Sequence, residues 1–248
     1  MINASLTDPW LWLGLFILLA YSIEAMTGFG SIVIALSLGA MLLPIPELLP
    51  VLVPLNVLMS TYMTLRHHRH IDWSLLLRLV LPLMLVGTLT GYWLLPWVGD
   101  SVLRLLFGAL VIWFSGRELW RLFKGHVPAP HTPGTSRLLT FGAGVTHGLF
   151  ASGGPLLVYA LAGIHMDKSR TRATLILVWL ALNTTLTVLY LTDGSLIPHL
   201  SRIGSYIPIL VLGVLVGDFL HHRINETRFR QAVFGLLLIT GMLLMLRH

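Results

Sequence analysis

Two glycine-marked interruptions hold the residues best suited to chemistry in this sequence: Thr27-Gly28-Phe29-Gly30-Ser31 and Ser152-Gly153-Gly154-Pro155. Each breaks a long apolar run. Glycine permits backbone shapes that a helix forbids. Thr27 and Ser152 are residue types that cap helix N-termini, and Pro155 suits a first helical turn. The pattern predicts that a helix begins at each break, deep in apolar surroundings, with unpaired N–H groups pointing inward. Such helix ends carry partial positive charge and favour anions. Two of them meeting from opposite sides would make a central anion site. Unwound backbone survives at such depth only inside protein or beside a wet cavity, which favours a binding role over close packing alone.

Polar residues inside the apolar runs are the next candidates. Asn56 and Asn183 stand at equivalent places. A buried amide needs partners, so each either hydrogen-bonds a substrate or ties down the opposite break. Thr184 and Thr187 could line the same path, although threonine in such helices often bonds only its own backbone. Glu24 is a carboxylate deep in an apolar run, and His147 sits at nearly the same depth in the other half. Together they could relay protons and couple transport to a proton gradient. The alternatives are a protonated or vestibule-facing Glu24 and a purely structural His147.

No residue is assigned a catalytic role. Ala151-Ser152-Gly153 looks like the glycine-flanked serine of an intramembrane protease. That chemistry needs a histidine on another helix within hydrogen-bond reach, and His147 lies on the same short arm. His67, His68 and His70 beside Arg66 and Arg69 form a basic loop whose spacing suits no closed metal site. The chain has no cysteine, which removes disulfides, thiolate metal ligation and thiol catalysis. No cofactor or metal is expected.

The elements that must position these residues are membrane helices. Of the 248 residues 56% are hydrophobic and 10% charged, against roughly 25% charged in an ordinary soluble domain. The net charge of +6 lies in short loops rather than on a helix face, which argues against nucleic-acid binding. Six runs, near 48–65, 74–97, 101–122, 171–191, 203–220 and 228–246, are long enough to cross a bilayer. Residues 10–43, broken at Gly28–Gly30, form either a hairpin or two tilted spans. Residues 138–164 have arms too short to span and read as a re-entrant hairpin. Gly87/Gly91 and Gly213/Gly217 carry the small-xxx-small spacing of packed helices and leave a homodimer possible. Trp93, Trp97, Trp113 and Trp120 suit interfacial belts. The fold class is therefore all-α: a polytopic transmembrane bundle of 8–10 membrane segments.

The two halves repeat. Leu55-Asn56 matches Leu182-Asn183, Phe107-Gly108 matches Phe234-Gly235, and Leu81-Pro82, Gly87 and Gly91 match Ile207-Pro208, Gly213 and Gly217. This divides the chain into a first membrane repeat (1–124), a linker (125–137) and a second repeat (138–248). Each repeat would hold one broken hairpin and three spans. Lys and Arg cluster at 66–78, 117–137, 168–172 and 223–230, and the positive-inside rule puts these in the cytoplasm. The repeats then have opposite topology, with both termini outside and the linker inside. Inverted repeats with broken helices are a recurrent plan of secondary transporters.

The glycine-rich first break, the segment from Pro44 to Pro54, the basic loop before Ile71-Asp72-Trp73, the Gly87/Gly91 helix and Gly148-Leu149-Phe150-Ala151-Ser152-Gly153-Gly154-Pro155 resemble, in their order, the TauE/SafE sulfite exporter family. The resemblance covers nearly the whole chain. Members commonly carry three glycines and a proline at each break, whereas this chain has Gly-Phe-Gly-Ser and a shortened Gly153-Gly154-Pro155. The resemblance implies a bacterial-type inner-membrane permease for a sulfur-containing anion such as sulfite, thiosulfate, sulfoacetate or another sulfonate. The residues themselves point to a small anionic substrate moved by alternating access. The competing readings are a transporter or channel for another anion, an intramembrane serine protease and a non-transporting scaffold.

Overall fold

The computed structural model describes residues 8–27, 30–124, 131–162, 168–221 and 226–246. Among them the chain is helical throughout: α1 (Pro9–Thr27), α2 (Ser31–Gly39), α3 (Ile45–His67), α4 (Trp73–Leu75), α5 (Leu81–Leu94), α6 (Asp100–Lys124), α7 (Pro133–Phe150), α8 (Gly154–Ala160), α9 (Lys168–Thr192), α10 (Leu200–His221) and α11 (Glu226–Leu246). Six stretches are long and apolar enough to cross a membrane: 9–26, 45–66, 73–97, 169–192, 197–220 and 228–246. Many large apolar side chains face outward, Trp97 at 86% and Trp93 at 67% exposure among them. That surface suits lipid and not water.

This set of six differs from the expected one at two places. Residues 9–26 form one full-length helix, followed after the break by a nine-residue half-helix. At 1.5 Å per residue that half-helix reaches only about 14 Å. The first stretch is thus a hairpin of unequal arms, a full-length helix with a half-helix packed against it, and not two spans. Residues 101–122 do form a 25-residue helix, α6, but it is not among the six. Asp100 and Arg104 sit at one end and Arg117, Glu118, Arg121 and Lys124 at the other, leaving an uncharged stretch of only 12 residues.

Two compact units form, and each draws on both halves of the chain. One comprises residues 1–52, 99–126 and 199–248, the other 53–98 and 127–198. In the first, α1 packs against α2 and α10, while α6 packs against α11. A Cβ on Gly213 or Gly217 of α10 would strike the carbonyls of Leu18 or Ser22 on α1. In the second, α5 packs against α7, and a Cβ on Gly87 or Gly91 would strike the carbonyls of Phe141 or Val145. The small-xxx-small pairs therefore act in close helix packing, each against the helix leading into a break. The core of the second unit is built from Val80, Met84, Ala143, Leu157, Val178 and Leu182. Helix α3 contributes its residues through Leu52 to the first unit and those from Val53 onward to the second.

Local chemistry explains the helix ends. Asp72 caps α4 by accepting from the Leu75 amide at 3.0 Å, and its own amide donates to Thr174 Oγ1 at 2.9 Å. Asp100 accepts from the Ile45 amide at 3.0 Å and from Arg104 Nε at 2.7 Å. Residues Leu76–Val80 form a π-helical turn, with the Leu81 amide reaching back five residues to the Leu76 carbonyl. Pro82, next in sequence, has no N–H to sustain the regular ladder, which accounts for the wide turn.

Candidate functional site

The second break is buried inside the second unit. Helix α7 begins at Pro133, where Thr132 accepts from the Thr135 amide, and runs 18 residues to Phe150. The arm therefore begins five residues before the expected start at 138. It ends because Ala151 adopts a left-handed conformation (φ 50°) and its amide donates to the His147 carbonyl at 2.6 Å. Helix α8 then restarts with Gly153 as its cap and Pro155 in its first turn.

The expected caps are wrong in detail. Ser152 does not cap α8; its hydroxyl turns back to the Phe150 carbonyl at 2.9 Å, because the tight Ala151 turn brings that oxygen within reach. Thr27 is the last residue of α1 and not the cap of α2; that position is Gly30, at φ 102°, with no side-chain cap. The left-handed backbone explains Gly30, as glycine pays no Cβ penalty there. Gly153 has an ordinary φ of −72° and is glycine for another reason: a Cβ would collide with the Ala143 carbonyl. Gly154 lies against the Trp179 ring, where a Cβ would stand 3.3 Å away.

Beside this break the two repeated asparagines meet. Asn183 Nδ2 donates to Asn56 Oδ1 at 2.7 Å, and Ser60 Oγ donates to the same oxygen at 3.0 Å. Asn56 is 4% exposed and Asn183 1%. His147, also 1% exposed, stacks on Trp179 with ring centroids 5.7 Å apart and planes 17° from parallel. The Gly153 amide donates to His147 Nδ1 at 3.4 Å. A neutral imidazole that accepts at Nδ1 carries its proton on Nε2. His147 Nε2 and Asn183 Oδ1 are both buried without a hydrogen-bond partner. One is a donor and the other an acceptor, and native interiors rarely leave either unmet. Thr184 is exposed, away from this cluster, and Thr187 donates only to the Asn183 carbonyl at 2.7 Å. Ser152 and His147 each have other partners, so the protease pairing is not made at this break.

The first break lies in the first unit. Gly28 and Phe29 fall outside the described residues, as does the Thr27 side chain. Ser31 is buried, and Glu24, on the last turn and a half of α1, is 3% exposed. A cavity opens here, walled by Ile23, Gly30, Val33, Phe114, Arg230 and Phe234. Arg230 belongs also to an ion cluster that the sequence did not disclose. Glu118 is as buried as Glu24, at 3%. Arg117, Arg121 and Arg230 stand 3.0, 3.6 and 3.8 Å from its carboxylate. In the sequence the three arginines fall in the basic clusters 117–137 and 223–230, which the positive-inside rule assigns to the cytoplasm. The signal available was spacing: Phe114/Glu118 and Arg230/Phe234 are i, i+4 pairs that place each charge one turn from an aromatic ring.

A helical membrane protein with half-helices and buried polar clusters beside both breaks belongs to the class of polytopic transporters. Residues 13–244 match the family model of sulfite exporter TauE/SafE, and the chain belongs to that family. It is an integral membrane transporter. It is similar to the probable sulfite/organosulfonate exporter TauE of Cupriavidus necator, 26% identical over 233 residues, covering 90% of this chain and 88% of that one. It is also similar to the probable inner membrane transporter protein TsaS of Comamonas testosteroni, 28% identical over 167 residues, covering 66% and 68%. No solved structure matches the chain.

Proposed function

We propose that the protein is a secondary transporter of a small sulfur-containing anion (sulfite, thiosulfate, sulfoacetate or another sulfonate) working by alternating access through inverted repeats. Family membership and the similarity to a protein named as a sulfite/organosulfonate exporter support the substrate class. The observation that carries the reading is the cluster at the second break: the buried His147, next to a helix restart, whose Nε2 makes no full hydrogen bond although the Asn183 side chain lies beside it. An oxoanion oxygen would complete the bond that this pair leaves unmade. Asn183, braced by Asn56, holds the neighbouring wall in place and offers Oδ1 to a donor. Thr27, Gly28, Phe29, Gly30 and Ser31 are the corresponding residues of the other repeat. Coupling to protons is assigned to Glu24, since the Gly153 amide occupies the His147 nitrogen that a relay would need free.

The test is flux in proteoliposomes with sulfite, thiosulfate, sulfoacetate, sulfate and chloride, with and without an imposed pH gradient. Flux of sulfite, thiosulfate or sulfoacetate, accelerated by the gradient in wild type and not in Glu24→Gln, is expected. Flux of chloride or sulfate alone would remove the substrate class. Flux indifferent to the gradient in wild type would remove the coupling.

A further inference from the structure

A buried line of side chains runs from the second break to the far end of α9, all of it inside the second unit. Helix α9 carries Trp179, Asn183, Leu186 and Tyr190 on one face, within about 60° of arc. All four are buried. Tyr190 stands one heptad past Asn183, about 10 Å along the helix. It is 3% exposed, and its hydroxyl is buried with no hydrogen-bond partner among the described residues. Native interiors rarely leave such a group unmet.

Beyond Tyr190 the helix ends in a fixed turn. The Leu196 amide donates to the Tyr190 carbonyl at 2.8 Å, and the Ser195 amide donates to Asp193 Oδ1 at 2.8 Å. Asp193 itself is exposed. Its other oxygen, Oδ2, accepts from the Tyr92 hydroxyl of α5. The Tyr92 ring also meets the Tyr190 ring, with centroids 5.8 Å apart and planes 55° from parallel. Tyr92 therefore touches both the buried Tyr190 and the exposed Asp193. Its backbone is fixed where Gly91 packs against Gly148 on α7, which leaves the ring as the part able to swing.

We propose that Tyr92 and Asp193 form a latch over the end of this line, and that the Tyr190 hydroxyl behind it is a further donor for the transported anion. The anion would meet it between the His147–Asn183 cluster and the exposed end of α9. With the latch shut, the Tyr92 ring covers Tyr190 and the Asp193 carboxylate keeps anions from the closed end. Opening releases the Tyr92 hydroxyl from Asp193. Two neighbouring phenol hydroxyls can then donate to an anion that the carboxylate alone would repel, and hydrogen bonds to a charged acceptor are the stronger kind. The unmet Tyr190 hydroxyl costs the shut state stability and finds its acceptor in the open one. The proposal rests on the reading of the His147–Asn183 cluster as a substrate site.

The chain has no cysteine, so single introduced cysteines report opening directly. Leu186→Cys places one on the buried line behind the latch. Val80→Cys places one in the core of the same unit, at the other end of the α5 rod. Labelling by a small charged methanethiosulfonate, present on both sides of proteoliposomes without substrate, is timed in each background. Tyr92→Phe keeps the ring and loses the bond to Asp193. It is expected to speed labelling of Leu186→Cys about tenfold and to leave Val80→Cys as before. No acceleration at Leu186→Cys, or equal acceleration at both cysteines, overturns the latch. Should Tyr92→Phe fail to reconstitute, Asp193→Asn weakens the same bond from its other partner and carries the same expectation. Tyr190→Phe is expected to lower flux about tenfold at low substrate concentration, for whichever of sulfite, thiosulfate and sulfoacetate wild type carries. Its unfolding temperature should hold or rise, because the hydroxyl it loses is buried and unpaired. A merely structural tyrosine would give the reverse, and unchanged flux in Tyr190→Phe overturns the donor role. Wild type without flux of any of the three anions removes the transport reading and this proposal with it. Unchanged labelling with wild-type flux intact removes the latch alone.

Discussion

At the scale of the residue, most of what matters is where single protons and lone pairs point. Because Gly153 donates to Nδ1, His147 presents N–H at Nε2. Glutamine can place an amide N–H near that position without titrating. We expect His147→Gln to keep flux within about threefold of wild type and His147→Ala to lower it at least tenfold, the scale of one hydrogen bond to a charged ligand. If His147 relays protons, the two variants will be equally impaired in liposome flux. The Asn183–Asn56 bond makes a separate prediction. Asn183→Leu removes the 2.7 Å bond to Asn56 Oδ1, which Ser60 also donates to, and should cost about 1–3 kcal/mol in detergent unfolding. These asparagines were visible in the sequence because their neighbours repeat, Leu55 with Leu182. Glu118 and Arg230 were not, since 112 residues separate them and each ends a helix where charge is ordinary.

At the scale of the element, the breaks were legible but their causes were not. A helix restart was written in Gly30-Ser31 and Gly153-Gly154-Pro155, and helices start there. Which residue would cap was not readable, because Ala151 takes the left-handed turn that the glycines were expected to provide. Helix packing was more faithfully encoded. Gly91→Ala would drive a methyl into the Val145 carbonyl and force α5 from α7, and Gly217→Ala would do the same against Ser22 on α1. Each should destabilise by about 1–3 kcal/mol or more, the cost of overpacking a rigid contact. Gly116→Ala and Gly235→Ala meet nothing within 4 Å and lie in helices. They should be neutral or stabilising by up to about 1 kcal/mol. Thermal unfolding of the four variants in one detergent separates the two groups.

At the scale of the molecule, the sequence repeat did not reveal how the helices would sort. Hydrophobic periodicity marks which helices exist, not which of them share a core. The chain distributes each repeat over both compact units. Opposite insertion of the repeats can be checked directly, since the protein has no cysteine. His70 and Ile197 occupy equivalent repeat positions and are both exposed. In intact cells an impermeant thiol reagent should label Ile197→Cys, and label His70→Cys only after permeabilisation. Labelling of both from the same side would exclude inverted repeats.

Helix α3 has a mechanical consequence. The chain passes from one unit to the other about a third of the way along this helix, between Leu52 and Val53, and not in a slack loop. Pro50 and Pro54 straddle the crossing, so the carbonyls of Pro46 and Pro50 lack the amide that would ordinarily clasp them. A stiff shaft with a softened collar can flex at one place while its two ends stay straight. Pro54→Ala would restore one clasp. It should raise the unfolding temperature and slow turnover while leaving the half-saturating substrate concentration unchanged. Unaltered turnover in the stabilised variant would mean that transport does not bend the shaft there.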